Sequence, residues 1–231
     1  MTLQTCIFGL IFMVAGALFV SLFLKSFYDK KFVKALLIKG LASLCFFGFG
    51  AFNFFTSEFS WAKLAILVGL GLGIIGDEVI ALCQIYPNHD KEHFLGGGVF
   101  FVVGHVFYMG AMIFLLGGPS WIALAVAFVL MMAISFYYET KKKFFANELG
   151  GSLKLYISIV IFFASVGIGL FLKHGTAWAA LLALGGILFT VSDNILFAFK
   201  LGKGAKFKQN IELHVAYYLA QFAIAWSISC I

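Results

Sequence analysis

Eight apolar runs, each close to the length that crosses a hydrocarbon layer, constrain this chain more than any other feature. They cover residues 3–24, 36–55, 61–83, 95–116, 120–138, 153–172, 176–198 and 213–231, and a spanning helix needs about 20 such residues. Inside lipid no water satisfies the backbone, so each run must close its hydrogen bonds internally as a helix. A composition of 63% hydrophobic and 11% charged residues excludes a water-soluble domain of this size. The links are too short for one in any case. The expectation is an all-α, polytopic bundle of eight transmembrane helices, a single multi-pass domain over residues 1–231 placed in the cell membrane.

Charge sets the expected orientation. All sixteen basic residues are lysine, so the arginine forks suited to phosphate and base-edge recognition are missing and nucleic acid is not an expected partner. The first run has no preceding positive charge and is followed by Lys25, Lys30, Lys31 and Lys34, which reads as a retained anchor with its N-terminus outside. On that reading fourteen lysines lie inside, and only Lys63 and Lys173 outside. Eight spans then return the C-terminus to the outer side. The four cysteines, Cys6, Cys45, Cys83 and Cys230, have no paired spacing and read as small apolar filler.

A shift of 116 residues, the separation of Asp77 and Asp193, superposes the first four runs on the last four. It also lays Gly69 on Gly185 and His105 on Gln221. Regular spacing alone would align helices but not two intramembrane acids. The pattern predicts half-repeats 1–116 and 117–231 in parallel orientation, since four spans return the chain to the same side.

Ionisable groups in hydrocarbon are costly and mark functional positions. Asp77 and Asp193 lie about six and five residues from the inner ends of their runs, His105 about ten residues up the fourth run and Gln221 about eight up the last. All four fall in one inner band and could converge on an inward-facing site. Gly69, Gly73, Asp77 and Ala81 recur at i+4, giving Asp77 a face of small residues for close packing. Gly97, Phe101, His105 and Tyr108 share a second face, and His214, Tyr217, Tyr218 and Gln221 a third. Interhelical hydrogen bonding is the plainer role for a lone Tyr or Gln, but it accounts less well for two carboxylates at matching depth. Glu78 points about 100° from Asp77 and is a secondary candidate. The run His89, Asp90, Lys91, Glu92, His93 has metal-ligand composition but falls in a short link, where a solvated loop is expected. HExxH and GxSxG are absent, and neither a metal nor another cofactor is expected.

Gly76-Asp77, then Phe94, Gly97, Phe101, His105 and Tyr108, then Ser192-Asp193 and Tyr217-Tyr218-Leu219-Ala220-Gln221 together resemble the YhhN-type lysoplasmalogenase family of eight-span membrane proteins. Lys39 matches that family's lysine at the start of the second span, although Gly40 stands where a proline commonly follows. The resemblance implies a hydrolase acting on ether bonds, which cleaves the vinyl ether of a lysoplasmalogen-like lysophospholipid into a fatty aldehyde and a glycerophospho head group. Such cleavage protonates the enol carbon and then captures water on an oxocarbenium ion, so it needs one carboxylic acid and one carboxylate, as glycoside hydrolysis does. Asp77 and Asp193 are the expected pair, with His105 as the third catalytic candidate. Tyr108 would help His105 orient water or the leaving oxygen, Tyr217 and Gln221 would bond the second carboxylate, and Lys39 would meet the substrate phosphate at the inner interface. Two alternatives remain at this point, a transporter of a lipid-like or small solute and a non-catalytic lipid-binding protein. Proton flux and aldehyde release would tell them apart.

Overall fold

The computed structural model describes residues 3–117, 150–201 and 207–231, with scattered helical positions between 125 and 137. These residues form seven long helices and no strand: α1 (Leu3–Tyr28), α2 (Phe32–Phe55), α3 (Trp61–Ala81), α4 (Asp90–Leu116), α5 (Gly150–His174), α6 (Ala177–Leu201) and α7 (Phe207–Ser227). Six of the described helices, all but α7, are long and apolar enough to cross a membrane. The expected span over 120–138 lies, apart from scattered positions, outside the described residues. The chain divides into two compact units, one of residues 1–111 with 224–231 and one of residues 112–223.

Several helices overrun the apolar segments at their ends, while α3 and α7 stop at Ala81 and Ser227, short of theirs. Helix α1 continues past Lys25 to Tyr28, and α4 opens at Asp90, not 95, with Asp90 and Glu92 in its first turn. Acidic side chains there complement the positive end of the helix dipole, so charge favours the extension. The expected 89–93 loop is therefore partly helix: Pro87–His89 forms a short 3-10 turn that leads directly into α4. Helix α2 likewise begins at Phe32 and not at 36, which puts Lys39 two turns inside it rather than at its start.

In the first unit the α1–α2 link is a tight C-cap. Lys31 N–H donates to Ser26 O at 2.9 Å and Lys30 N–H to Phe27 O at 3.0 Å, the paired bonds of a Schellman motif. Lys30 occupies the left-handed position of that motif with φ 58°, where glycine is the usual residue and a side chain costs roughly 1 kcal/mol. Helices α1 and α2 pack through Phe8 stacked on Phe52 at 4.5 Å. Residues 224–231 close this unit: Trp226 sits edge-on to Phe49 at 5.4 Å, and Asn53 Nδ2 donates to Ala225 O at 3.1 Å.

Helices α3 and α4 approach to backbone contact. A Cβ placed on Gly97 would lie 2.9 Å from Gly76 O, one on Gly76 would lie 3.1 Å from Gly97 O, and the Tyr108 ring fills the space where a Gly69 side chain would stand. Small residues permit this because lipid offers no hydrophobic drive between helices, and dispersion from close packing must supply it.

The second unit repeats the device. A Cβ on Gly186 would meet Ala164 Cα at 2.8 Å, and one on Gly167 would meet Ala183 Cα at 3.0 Å, which locks α5 to α6. Gly175, at φ 61°, makes the short turn between them.

The distribution of exposure is that of a protein whose solvent is hydrocarbon. Leu10 and Ile11 on α1 are 62% and 56% exposed, whereas Lys39, Asp77 and Asp193 are each 5% exposed.

Candidate functional site

Helix α2 delivers two donors to Asp77. Lys39 and Ser43 are one turn apart, so their side chains stack on one face, and α3 brings Asp77 against that face. Lys39 Nζ lies 3.0 Å from Asp77 Oδ1, and Ser43 Oγ donates to Oδ2 at 2.8 Å. Lys39 Nζ also donates to the Asp77 main-chain carbonyl at 2.9 Å. Both carboxylate oxygens are thus held from a neighbouring helix, in a position where all three side chains are buried. Charge-assisted bonds of this kind fix a carboxylate more tightly than neutral ones.

Lys39 therefore sits elsewhere than the sequence suggests. Because α2 begins at Phe32, the ammonium is buried two turns inside that helix and paired with Asp77. Glu78, the secondary candidate, is half-buried beside this pair. Its Oε1 is buried and accepts no hydrogen bond, and it lies 3.4 Å from where a Gly40 Cβ would be. Gly40 leaves that carboxylate its room.

On α4, His105 is fully buried and its Nδ1–H donates to Phe101 O at 2.6 Å. That bond places the proton of a neutral ring on Nδ1 and makes Nε2 the acceptor nitrogen. The Tyr108 ring is perpendicular to the His105 ring, with centroids 6.3 Å apart, and rests on the Gly69 backbone.

In the second unit, Tyr156 on α5 donates its phenolic O–H to Asp193 Oδ2 on α6 at 2.9 Å. The Tyr156 ring is set edge-on to Phe197 at 5.5 Å. Ser192 Oγ, next to Asp193, is buried with no hydrogen-bond partner. On α7, Gln221 Nε2 donates to Tyr217 OH one turn earlier at 2.9 Å, and the Tyr217 ring packs edge-on against Phe189 of α6 at 5.4 Å.

Each unit by itself thus holds a buried aspartate gripped from the preceding long helix. The donors precede Asp77 by 38 and 34 residues and Asp193 by 37. Sequence reasoning misses Ser43 and Tyr156, since hydroxyl side chains are common in membrane helices. The available signals are that Ser43 follows Lys39 by one turn and that Tyr156 falls one residue beyond the image of Lys39 under the 116-residue shift.

Near the lysine-rich end of the first unit, the His93 ring lies 5.9 Å from Tyr86 and 6.3 Å from His89. No group of three or more His, Cys, Asp or Glu side chains among the described residues could hold a metal ion.

Preorganised carboxylates in a water-poor interior can stabilise a developing cation, or give and take a proton, without reorganising solvent at the moment of reaction. Comparison with known proteins gave no significant match among curated proteins or solved structures. A family model does match, over residues 30–228, which includes every residue of both aspartate clusters, and the chain belongs to the YhhN family.

Proposed function

We propose that this chain is a membrane-embedded hydrolase that opens the vinyl-ether bond of lysoplasmalogen-like lipids, releasing a fatty aldehyde and a glycerophospho head group. The observation that carries the reading is the Asp77 cluster: a carboxylate buried in an otherwise apolar span, with both oxygens fixed by Lys39 and Ser43. The family match covers this cluster, and the chain's resemblance to lysoplasmalogenases supplies the chemistry that the cluster would serve.

Two carboxyl roles are required. One group protonates the enol carbon, and the other stabilises the resulting oxocarbenium ion and activates water, after which the hemiacetal collapses to aldehyde and alcohol. Asp77 and Asp193 are the candidates for these roles, and both are buried. His105, with Nε2 as acceptor when the ring is neutral, is suited to orient water or the leaving oxygen, and Tyr108 supports its ring. Tyr217 and Gln221, bonded to each other on α7, are the candidates to hydrogen-bond the second carboxylate.

The test is product analysis. Purified protein in vesicles is incubated with a vinyl-ether lysophospholipid and with its ester analogue, and aldehyde and fatty acid are both quantified. Aldehyde from the vinyl ether supports the reading. Fatty acid from the ester as the main product replaces it with lysophospholipase chemistry, and no product from either lipid, with vesicle proton flux, replaces it with transport.

A further inference from the structure

Lys39 is buried and paired with Asp77, and the first unit carries a second group of lysines that is open to a phosphate. An open cleft of about 420 Å³ lies where the α1–α2 link meets the end of α3, lined by Lys30, Lys31, Lys34 and Gln84 together with Val33 and Ile85. Asp29 on the same link stands 3.9 Å from Lys31 and is the acidic group that faces it. Three cations against one anion leave the cleft positive.

Three further observations bear on what it holds. Helix α2 opens here with no side-chain cap, so its first-turn N–H groups add to the positive field. Lys30 keeps a long basic side chain at a φ of 58°, a position that glycine would occupy without strain. Strained positions persist where the side chain is needed.

The third observation is distance. Phe32 precedes Lys39 by seven residues on α2, which puts the cleft about 10 Å from the Lys39–Asp77 pair along that helix, and on the other wall Gln84 follows Asp77 by seven residues, in the 3-10 turn that continues α3. From the phosphorus of a lysoplasmalogen to its vinyl carbon is a chain of bonds reaching roughly 8 Å when extended. The two spans agree within the reach of a lysine side chain.

We propose that this cleft binds the phosphodiester of a single-chain glycerophospholipid and so positions its ether bond toward Asp77, with Lys30 and Lys34 as the phosphate contacts. This rests on the vinyl-ether reading for the identity of the bound lipid, but the phosphate contact itself does not depend on turnover.

Binding is measured by calorimetry on the purified full-length chain in detergent, using an unreactive 1-O-alkyl lysophospholipid and the 1-O-alkylglycerol that lacks its phosphate. The variants are Lys30→Gly with Lys34→Gln, in which glycine also relieves the strained position, and a charge-matched control, Lys91→Gln with Lys208→Gln. The expected result is that the wild-type chain and the control prefer the phosphorylated lipid by at least about tenfold, and that the cleft variant loses the preference. An unchanged preference in the cleft variant overturns the proposal. Displacement of the lipid by inorganic phosphate at equal concentration would make the cleft a site for soluble phosphate and would overturn the lipid assignment. With a vinyl-ether substrate, the cleft variant should raise KM several-fold at constant kcat. Failure of all turnover with the binding contrast intact would remove the vinyl-ether reading and leave the cleft standing.

Discussion

Removing the Lys39 ammonium while keeping its bulk, by Lys39→Met, isolates what the pair with Asp77 contributes. In the wild-type chain Asp77 has a cation at 3.0 Å and a hydroxyl donor at 2.8 Å. The variant keeps only the hydroxyl among these two, and a carboxylate at 5% exposure has no bulk water to replace the cation. Breaking one side of a buried pair costs about 3–5 kcal/mol, because the remaining charge is uncompensated. That is a shift of roughly 10² to roughly 4 × 10³ in the unfolding equilibrium constant, at about 1.4 kcal/mol per factor of ten. Neutralising the survivor as well, in Lys39→Met with Asp77→Asn, should recover most of the loss, since the amide oxygen that replaces the carboxylate can still accept from Ser43. The assay is reversible unfolding of the purified protein in mixed micelles, followed by circular dichroism for both single variants and the double. A coupling energy of at least about 2 kcal/mol is expected, within the range seen for residues in direct contact. Additive effects, or a Lys39→Met cost under about 1 kcal/mol, would refute the argument that this ion pair is buried and mutually dependent.

Asp77→Asn and Asp193→Asn should each lower aldehyde release by at least about 10²-fold, as loss of an acid-base group does, while size-exclusion profiles stay those of the folded protein. Full activity in both would sink the two-carboxyl mechanism. Tyr156→Phe deletes one hydrogen bond to Asp193 and should cost about 1.5–3 kcal/mol, seen as a lower unfolding midpoint with helicity unchanged. Gly97→Val would drive a branched side chain into the Gly76 carbonyl, and overpacking of this kind costs about 1–3 kcal/mol or more. Gly98→Ala, one residue on and with nothing within 4 Å of its Cβ, should be neutral in the same thermal melt.

Much of the helical arrangement is legible because lipid imposes it. A run near 20 apolar residues has one way to satisfy its backbone, and six of the described helices are long and apolar enough to be such runs, α7 being the exception. The ends are less legible, because the apolar count stops at the first charge while the helix does not. Lys25, Lys34 and Asp90 are all helical, since termini tolerate charge and a dipole rewards the right sign. Asp77 and Asp193 stand out in the sequence as acids inside apolar runs. Their partners do not, because which residue of α2 faces which residue of α3 depends on how two helices are rotated and offset, and the separation of 38 positions from Lys39 to Asp77 carries no such information. The family resemblance points to Lys39 as a functional position, and the structure supplies the contact it makes.

The same contrast between local pattern and packing bears on Lys63 and Lys173, the two lysines that break the chain's charge asymmetry. Within the first unit Lys63 lies at the end opposite Lys30, Lys31 and Lys34, and within the second Lys173 ends the helix that Lys154 begins. Neither ammonium projects as an unattached charge. Lys63 Nζ donates to Glu58 O and to Ser57 Oγ, both at 3.1 Å, just beyond the C-terminus of α2, and Lys173 Nζ donates to Leu116 O in the last turn of α4. Carbonyls at a helix C-terminus lack intrahelical partners and carry the negative end of the dipole. A lysine there satisfies an orphan acceptor and has its own charge offset locally. Lys173 thus caps α4, whereas Lys63 binds a side chain and a carbonyl of the α2–α3 link, and in both cases local acceptors offset the charge.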